Sequence, residues 1–133
     1  MPNHFHFLLQ ELRSGAITSL MRSVTISYSM YFNKKYKHAG TIYEGKYKAK
    51  MIDSDEYLMH VSRYIHLNPK DIGINPLVYP YSSIHSYINP KPNQSWVNME
   101  FITKLIDQNN PAEAYRRFML NDEKYDPKDF SFE

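Results

Sequence analysis

The chain has no cysteine, only four glycines and one tryptophan, and no apolar run near the roughly 20 residues needed to span a bilayer. Without thiols, disulfides and thiolate metal sites are excluded. The first residues, Met1-Pro2-Asn3-His4, lack the basic leader and long apolar core of a secretion signal. These absences point to a cytoplasmic protein without a membrane partner. What is plentiful is tyrosine, twelve in 133 residues, which marks a folded chain rather than a disordered one. The length suits one domain with one modest core.

The net charge of +2 hides an asymmetry. Residues 1–50 carry eight basic and two acidic side chains, whereas residues 51–133 carry eight basic and twelve acidic ones. A basic half beside an acidic half fits a surface that faces a polyanion, and it also fits an ordinary solvated face.

Along the chain, residues 4–10 alternate Phe5, Phe7 and Leu9 against His4, His6 and Leu8, the pattern of a strand. Ile17, Leu20, Met21, Val24, Tyr28, Tyr31 and Phe32 then recur at spacings of three and four, predicting a helix over 16–36 that stops near Gly40. Residues 41–52 alternate again, with Lys46, Lys48 and Lys50 on one side and Tyr47, Ala49 and Met51 on the other, and read as a second strand. Asp53 with Glu56 reads as a capping box for a second helix whose stripe is Tyr57, Leu58, Val61 and Ile65, ended by Asn68-Pro69. The Pro- and Tyr-rich stretch 71–92 reads as ordered loop with one short helix near 82–87. A helix near Asn98 follows, then one with Asn110 as cap, Pro111 in its first turn and Glu113 completing a capping box. The last dozen residues read as a frayed end.

Three groups carry chemical interest. His4 and His6, two apart on an extended segment, project from one face and suit a divalent cation; two solvent-facing histidines have the same signature. Tyr64 sits one helical turn before Asn68, so a phenol and an amide oxygen share a face. A phenol can conserve phosphodiester energy in a covalent phosphotyrosine, with a cation to polarise the phosphate oxygens; most tyrosines beside an apolar stripe are instead core residues. Arg22, Lys34, Lys35, Lys46, Lys48 and Lys50, interleaved with Tyr31, Tyr36, Tyr43 and Tyr47, suit phosphates and unpaired bases, or simply solvent.

Taken together, Met1-Pro2-Asn3-His4-Phe5-His6-Phe7-Leu8-Leu9, Leu20-Met21-Arg22-Ser23, Tyr31-Phe32-Asn33-Lys34-Lys35-Tyr36, Gly45-Lys46-Tyr47-Lys48, Asp53-Ser54-Asp55-Glu56-Tyr57-Leu58, Ser62-Arg63-Tyr64-Ile65-His66-Leu67-Asn68-Pro69 and Tyr79-Pro80-Tyr81-Ser82-Ser83 resemble the REP-associated tyrosine transposases, single-tyrosine enzymes of the insertion-sequence-200-like group with an HUH motif (His, bulky apolar, His). The resemblance is close over residues 1–90, the expected catalytic domain, and loose over 91–133, the expected C-terminal helical extension. It implies that His4 and His6 ligate Mg²⁺ or Mn²⁺, with Asn68 as third ligand by helix geometry. Tyr64 then attacks single-stranded, hairpin-forming, palindromic DNA, leaving a 5′-phosphotyrosine and a free 3′-hydroxyl that can be rejoined. A monomer or a homodimer fits equally.

The implied fold is α+β and ferredoxin-like. Members of the family carry about 50 further residues ahead of the Met-Pro-Asn-His segment, so a chain starting at Met1 is expected to be N-terminally truncated, with the histidines on an edge strand at a fraying terminus. The other functional class that fits is an inactive fragment that binds DNA without cleaving it.

Overall fold

The computed structural model, which describes residues 1–89 and 96–121, places helix α1 at Ala16–Tyr36, as the periodicity predicts. Its entry is Gly15, whose φ of 80° suits a residue without a Cβ. Glycine brings no capping side chain, and Glu11 Oε1 instead accepts from the Ile17 N–H at 3.3 Å. Lys34 and Lys35 occupy the last turn, where the helix dipole favours cations. Lys37, in the left-handed region, closes the helix by donating its N–H to Asn33 O.

Helix α2 is Asp55–Leu67. Its cap is Ser54, not Asp53: Ser54 is extended, and its Oγ accepts from the Tyr57 N–H at 3.2 Å. Asp55 and Glu56 in the first turn complement the dipole. Pro69 ends the α-helix as expected, and the chain tightens into a 3-10 helix over Asn68–Ile72 that leaves through Gly73 at φ 74°. A further 3-10 turn spans Pro76–Val78, with Asn75 Oδ1 accepting from the Leu77 N–H at 3.0 Å. Helices α3 (Ile84–Ile88), α4 (Glu100–Ile106) and α5 (Pro111–Leu120) follow. Asn110 precedes α5, but its side chain makes no capping bond, so the box expected with Glu113 is not formed. The frayed end expected for the last dozen residues lies outside the described residues.

The expected α+β, ferredoxin-like sheet is overturned. Among the described residues there is no strand, and every regular element is helical. Segments 4–10 and 41–52 carry the alternation of strands, but a strand exists only when its N–H and C=O groups enter a ladder with a neighbour. Alternation reports where side chains point; it says nothing of whether a partner backbone is there.

The chain divides into two compact units, Met1–Leu8 with the described residues from Met51 onward, and Leu9–Lys50. The first has a core of Ile84, Tyr87, Ile102, Tyr115 and Met119, flanked by Leu8, Leu58, Leu67 and Leu77. Each such buried side chain contributes about 1.5–3 kcal/mol. The second is α1 with its flanking segments. An aromatic cluster joins Tyr28 to Phe32 and Tyr43 at 6.2 and 6.4 Å, and Phe32 to Tyr36 at 4.6 Å. Asn33 holds the turn after α1, donating to Gly40 O at 3.1 Å and meeting His38 Nδ1 at 2.9 Å. No helix among the described residues is long and apolar enough to cross a membrane.

Candidate functional site

Four side chains singled out by the sequence meet within the first unit. Tyr64 and Asn68 lie one turn apart at the C-terminal end of α2, while the extended segment Met1–Leu8 brings in His4 and His6. His4 Nε2 is 3.0 Å from Asn68 Oδ1, a contact between residues 64 apart in sequence. The His4 and His6 rings lie edge to face with centroids 5.1 Å apart, and His6 packs edge to face on Tyr64 at 5.7 Å. Asn3 Oδ1, which sequence reasoning did not single out, is 2.8 Å from His4 Nδ1 and orients that ring. Asn68 is buried, His6 and Tyr64 are half-buried, and His4 is exposed.

The donor set fits a divalent cation. Asn68 Oδ1 can only accept, so His4 Nε2 carries the proton in this contact. The same two atoms would hold a divalent cation only with that proton removed. The 3.0 Å separation is that of an ordinary hydrogen bond, and an imidazole nitrogen beside an amide oxygen is a donor pair of the kind divalent cations take. Burial, and then the charge of His4, hold the His6 imidazole below its usual value, keeping it the neutral base that metals bind. Among the described residues no three His, Asp or Glu side chains cluster as metal ligands.

The opposite side of α2 holds a second constellation that the sequence did not reveal. His66 Nδ1 meets the Tyr115 hydroxyl at 2.7 Å, His66 Nε2 meets Ser83 Oγ at 2.9 Å, and the Tyr115 hydroxyl meets Ser62 Oγ at 3.0 Å. Ser62 Oγ donates to Met59 O at 2.7 Å. Ser62 thus has no proton left for Tyr115, so Tyr115 donates to Ser62, His66 Nδ1–H donates to Tyr115, and Ser83 donates to His66 Nε2. Every proton has one acceptor, and the chain of bonds joins α2, α3 and α5. Burial pushes the His66 imidazole down to about 4, so it stays neutral, and lifts the Tyr115 hydroxyl far above its ordinary range. Nearby, the buried Arg63 guanidinium donates to Asn121 O and lies 5.6 Å from the Phe118 ring centroid. The only sequence signal was Ser62 and His66 at i and i+4; their partner lies 49 residues beyond His66 and left no local trace.

Arg22, Lys34, Lys35, Lys46, Lys48 and Lys50 all belong to the second unit and are exposed. Lys35 Nζ donates to the Tyr31 hydroxyl at 3.0 Å and lies 5.4 Å from the centroids of both the Tyr31 and Tyr36 rings. That hydrogen bond raises its affinity for its proton. Cation and aromatic faces are thus interleaved on α1, the combination that binds single-stranded nucleic acid elsewhere.

Residues 1–68 match the family model described as "Transposase IS200 like". Neither the curated proteins nor the solved structures hold a match to this chain.

Proposed function

Because the chain belongs to the IS200-like transposase family, with DNA as its partner, we propose that it cleaves and rejoins single-stranded, hairpin-forming DNA through Tyr64. The observation that carries this reading is the meeting of His4, His6, Tyr64 and Asn68 in one unit from two distant segments.

The Tyr64 phenol oxygen attacks a backbone phosphorus, forming a P–O bond to tyrosine and breaking the P–O3′ bond. The phenol proton is given up and the departing 3′-oxygen gains one, leaving a 5′-phosphotyrosine and a free 3′-hydroxyl. Attack by a second 3′-hydroxyl reverses the step and rejoins the strands, so phosphodiester energy is conserved. His6 packs against the Tyr64 ring and restricts its swing. His4 Nε2, His6 and Asn68 Oδ1 would hold Mg²⁺ or Mn²⁺, which when bound polarises the phosphate oxygens. Asn3 Oδ1, accepting from His4 Nδ1–H, turns the ring so that Nε2 faces Asn68 Oδ1. The lysines and Arg22 of the second unit attract the DNA backbone, with affinity that falls as salt rises.

The test is incubation with 5′- or 3′-labelled hairpin oligonucleotides and Mn²⁺. The expected result is a denaturation-resistant adduct carrying the 3′ label that disappears in Tyr64→Phe. An adduct that persists in that variant overturns the role of Tyr64. Salt-sensitive binding with no adduct in the unmodified chain supports the second reading, a family member that binds DNA without cleaving it.

A further inference from the structure

We infer that Tyr115, in a helix outside the family-matched segment, is a positioning residue for α2: its hydroxyl, held between Ser62 and His66, sets the roll of that helix and so the aim of Tyr64. The inference rests on the reading of Tyr64 as nucleophile.

At about 100° per residue, Ser62 and His66 lie about 160° either way round the helix from Tyr64, so the side that Tyr115 grips is the back of the side that faces His4 and His6. Ser62 precedes Tyr64 by two residues and His66 follows it by two, which places the grip level with the phenol along the axis. At the outer side-chain radius of about 6 Å, a roll of about 10° moves a group by about 1 Å. A misplacement of about 1 Å lowers the rate of an oriented reaction on the order of a hundredfold.

Hydrophobic attraction is non-directional and does not by itself single out one roll of the helix. A hydroxyl that must receive from His66 Nδ1 at 2.7 Å and give to Ser62 Oγ at 3.0 Å tolerates little rotation before one bond is lost. His66 is tied on its other nitrogen to Ser83, at the start of α3, so α3 and α5 hold α2 from two directions. Tyr115 is fully buried and packs against the tilted Tyr87 ring at 4.6 Å, which confines the ring that carries the hydroxyl. The same helix end is tied again where Arg63 donates to Asn121 O.

The test compares Tyr115→Phe, which keeps the ring and removes the hydroxyl, with Ile102→Val, a change in the same core that leaves the hydrogen bonds intact. Adduct formation on a hairpin oligonucleotide with Mn²⁺ is expected to slow roughly ten- to a hundredfold in Tyr115→Phe, with DNA affinity within about twofold, and to keep its rate in Ile102→Val. The ring resonances of Tyr64, assigned by their loss in Tyr64→Phe, are expected to shift in Tyr115→Phe alone, since His6 lies edge-on to that ring. If the unmodified chain forms no adduct, the nucleophile reading fails while the resonance comparison still tests the positioning. If both variants leave the Tyr64 resonances alike, the positioning role is overturned. Should Tyr115→Phe not fold, Ser62→Ala removes the acceptor of Tyr115, together with the bond within α2 to Met59 O, and is read in the same way.

Discussion

The two units are held together by different means. In the first, five side chains bury one another and a closed set of hydrogen bonds joins three helices through the same core. In the second, α1 has 21 residues of which only Met21 is buried, while Leu20, Ile26, Met30, Tyr31 and Tyr36 remain exposed. The residues proposed for chemistry sit in the first unit, and the cationic residues proposed to attract DNA sit in the second. The difference follows from what each task demands. Bond-making groups must hold their places within fractions of an ångström, which takes a packed and hydrogen-bonded support. Phosphate attraction acts over about 8–10 Å and tolerates loose side chains.

This contrast is broken most forcefully by Tyr115→Ala. Loss of a fully buried ring and of its two hydrogen bonds is expected to destabilise the first unit by about 3–5 kcal/mol. Tyr31→Ala, on the exposed side of α1, should cost no more than about 0.5 kcal/mol. Denaturant melts of the two variants check this, and equal losses would erase the distinction between the units.

Alkaline titration gives the next effect. Burial pushes the Tyr87 hydroxyl up to about 12 from an ordinary 10. A phenol whose folded value is raised contributes stability that is fully present below pH 10 and lost as pH rises through about 12. That rise corresponds to about 3 kcal/mol. Ultraviolet titration should find the phenols of Tyr87 and Tyr115 ionising last, together with loss of the folded far-ultraviolet signal. Ionisation of every tyrosine in one step near the ordinary phenol value would contradict the buried network.

Ser54→Ala removes the cap of α2 and should cost about 1 kcal/mol in a thermal melt. Asp53→Ala, at the residue the sequence suggested as cap, should cost clearly less. The smallest effect on stability, within about 0.5 kcal/mol, is expected for Lys46, Lys48 and Lys50 changed together to alanine. The same variant should lower the salt dependence of single-stranded DNA binding by about two in logarithmic slope. An unchanged slope would remove these lysines from the interface.

Much of the helical framework was legible. The bounds of α1 follow from its period and from the break at Gly15, and the end of α2 from Pro69. Tyr64 and Asn68 were placed on one face by spacing alone, and the structure sets that face against His4 and His6. The cap of α2 was misread by one residue because Asp53, Ser54 and Asp55 are all competent caps, and only backbone conformation selects among them. The strands at 4–10 and 41–52 were misread because pairing is a property of two segments, and a pattern within one segment cannot report it.

By itself, then, the sequence determined the helices and the side each residue faces, because those depend on neighbours three and four positions away. It also determined the family, whose matched segment ends at Asn68, the residue that meets His4. Only the tertiary structure decided that no sheet forms among the described residues and that Asn68 reaches a histidine 64 positions earlier. It alone placed the Tyr115 hydroxyl in the gap between Ser62 and His66. Each of these joins groups far apart in the chain, and such contacts arise from the three-dimensional packing of whole elements rather than from any local preference of the residues that make them.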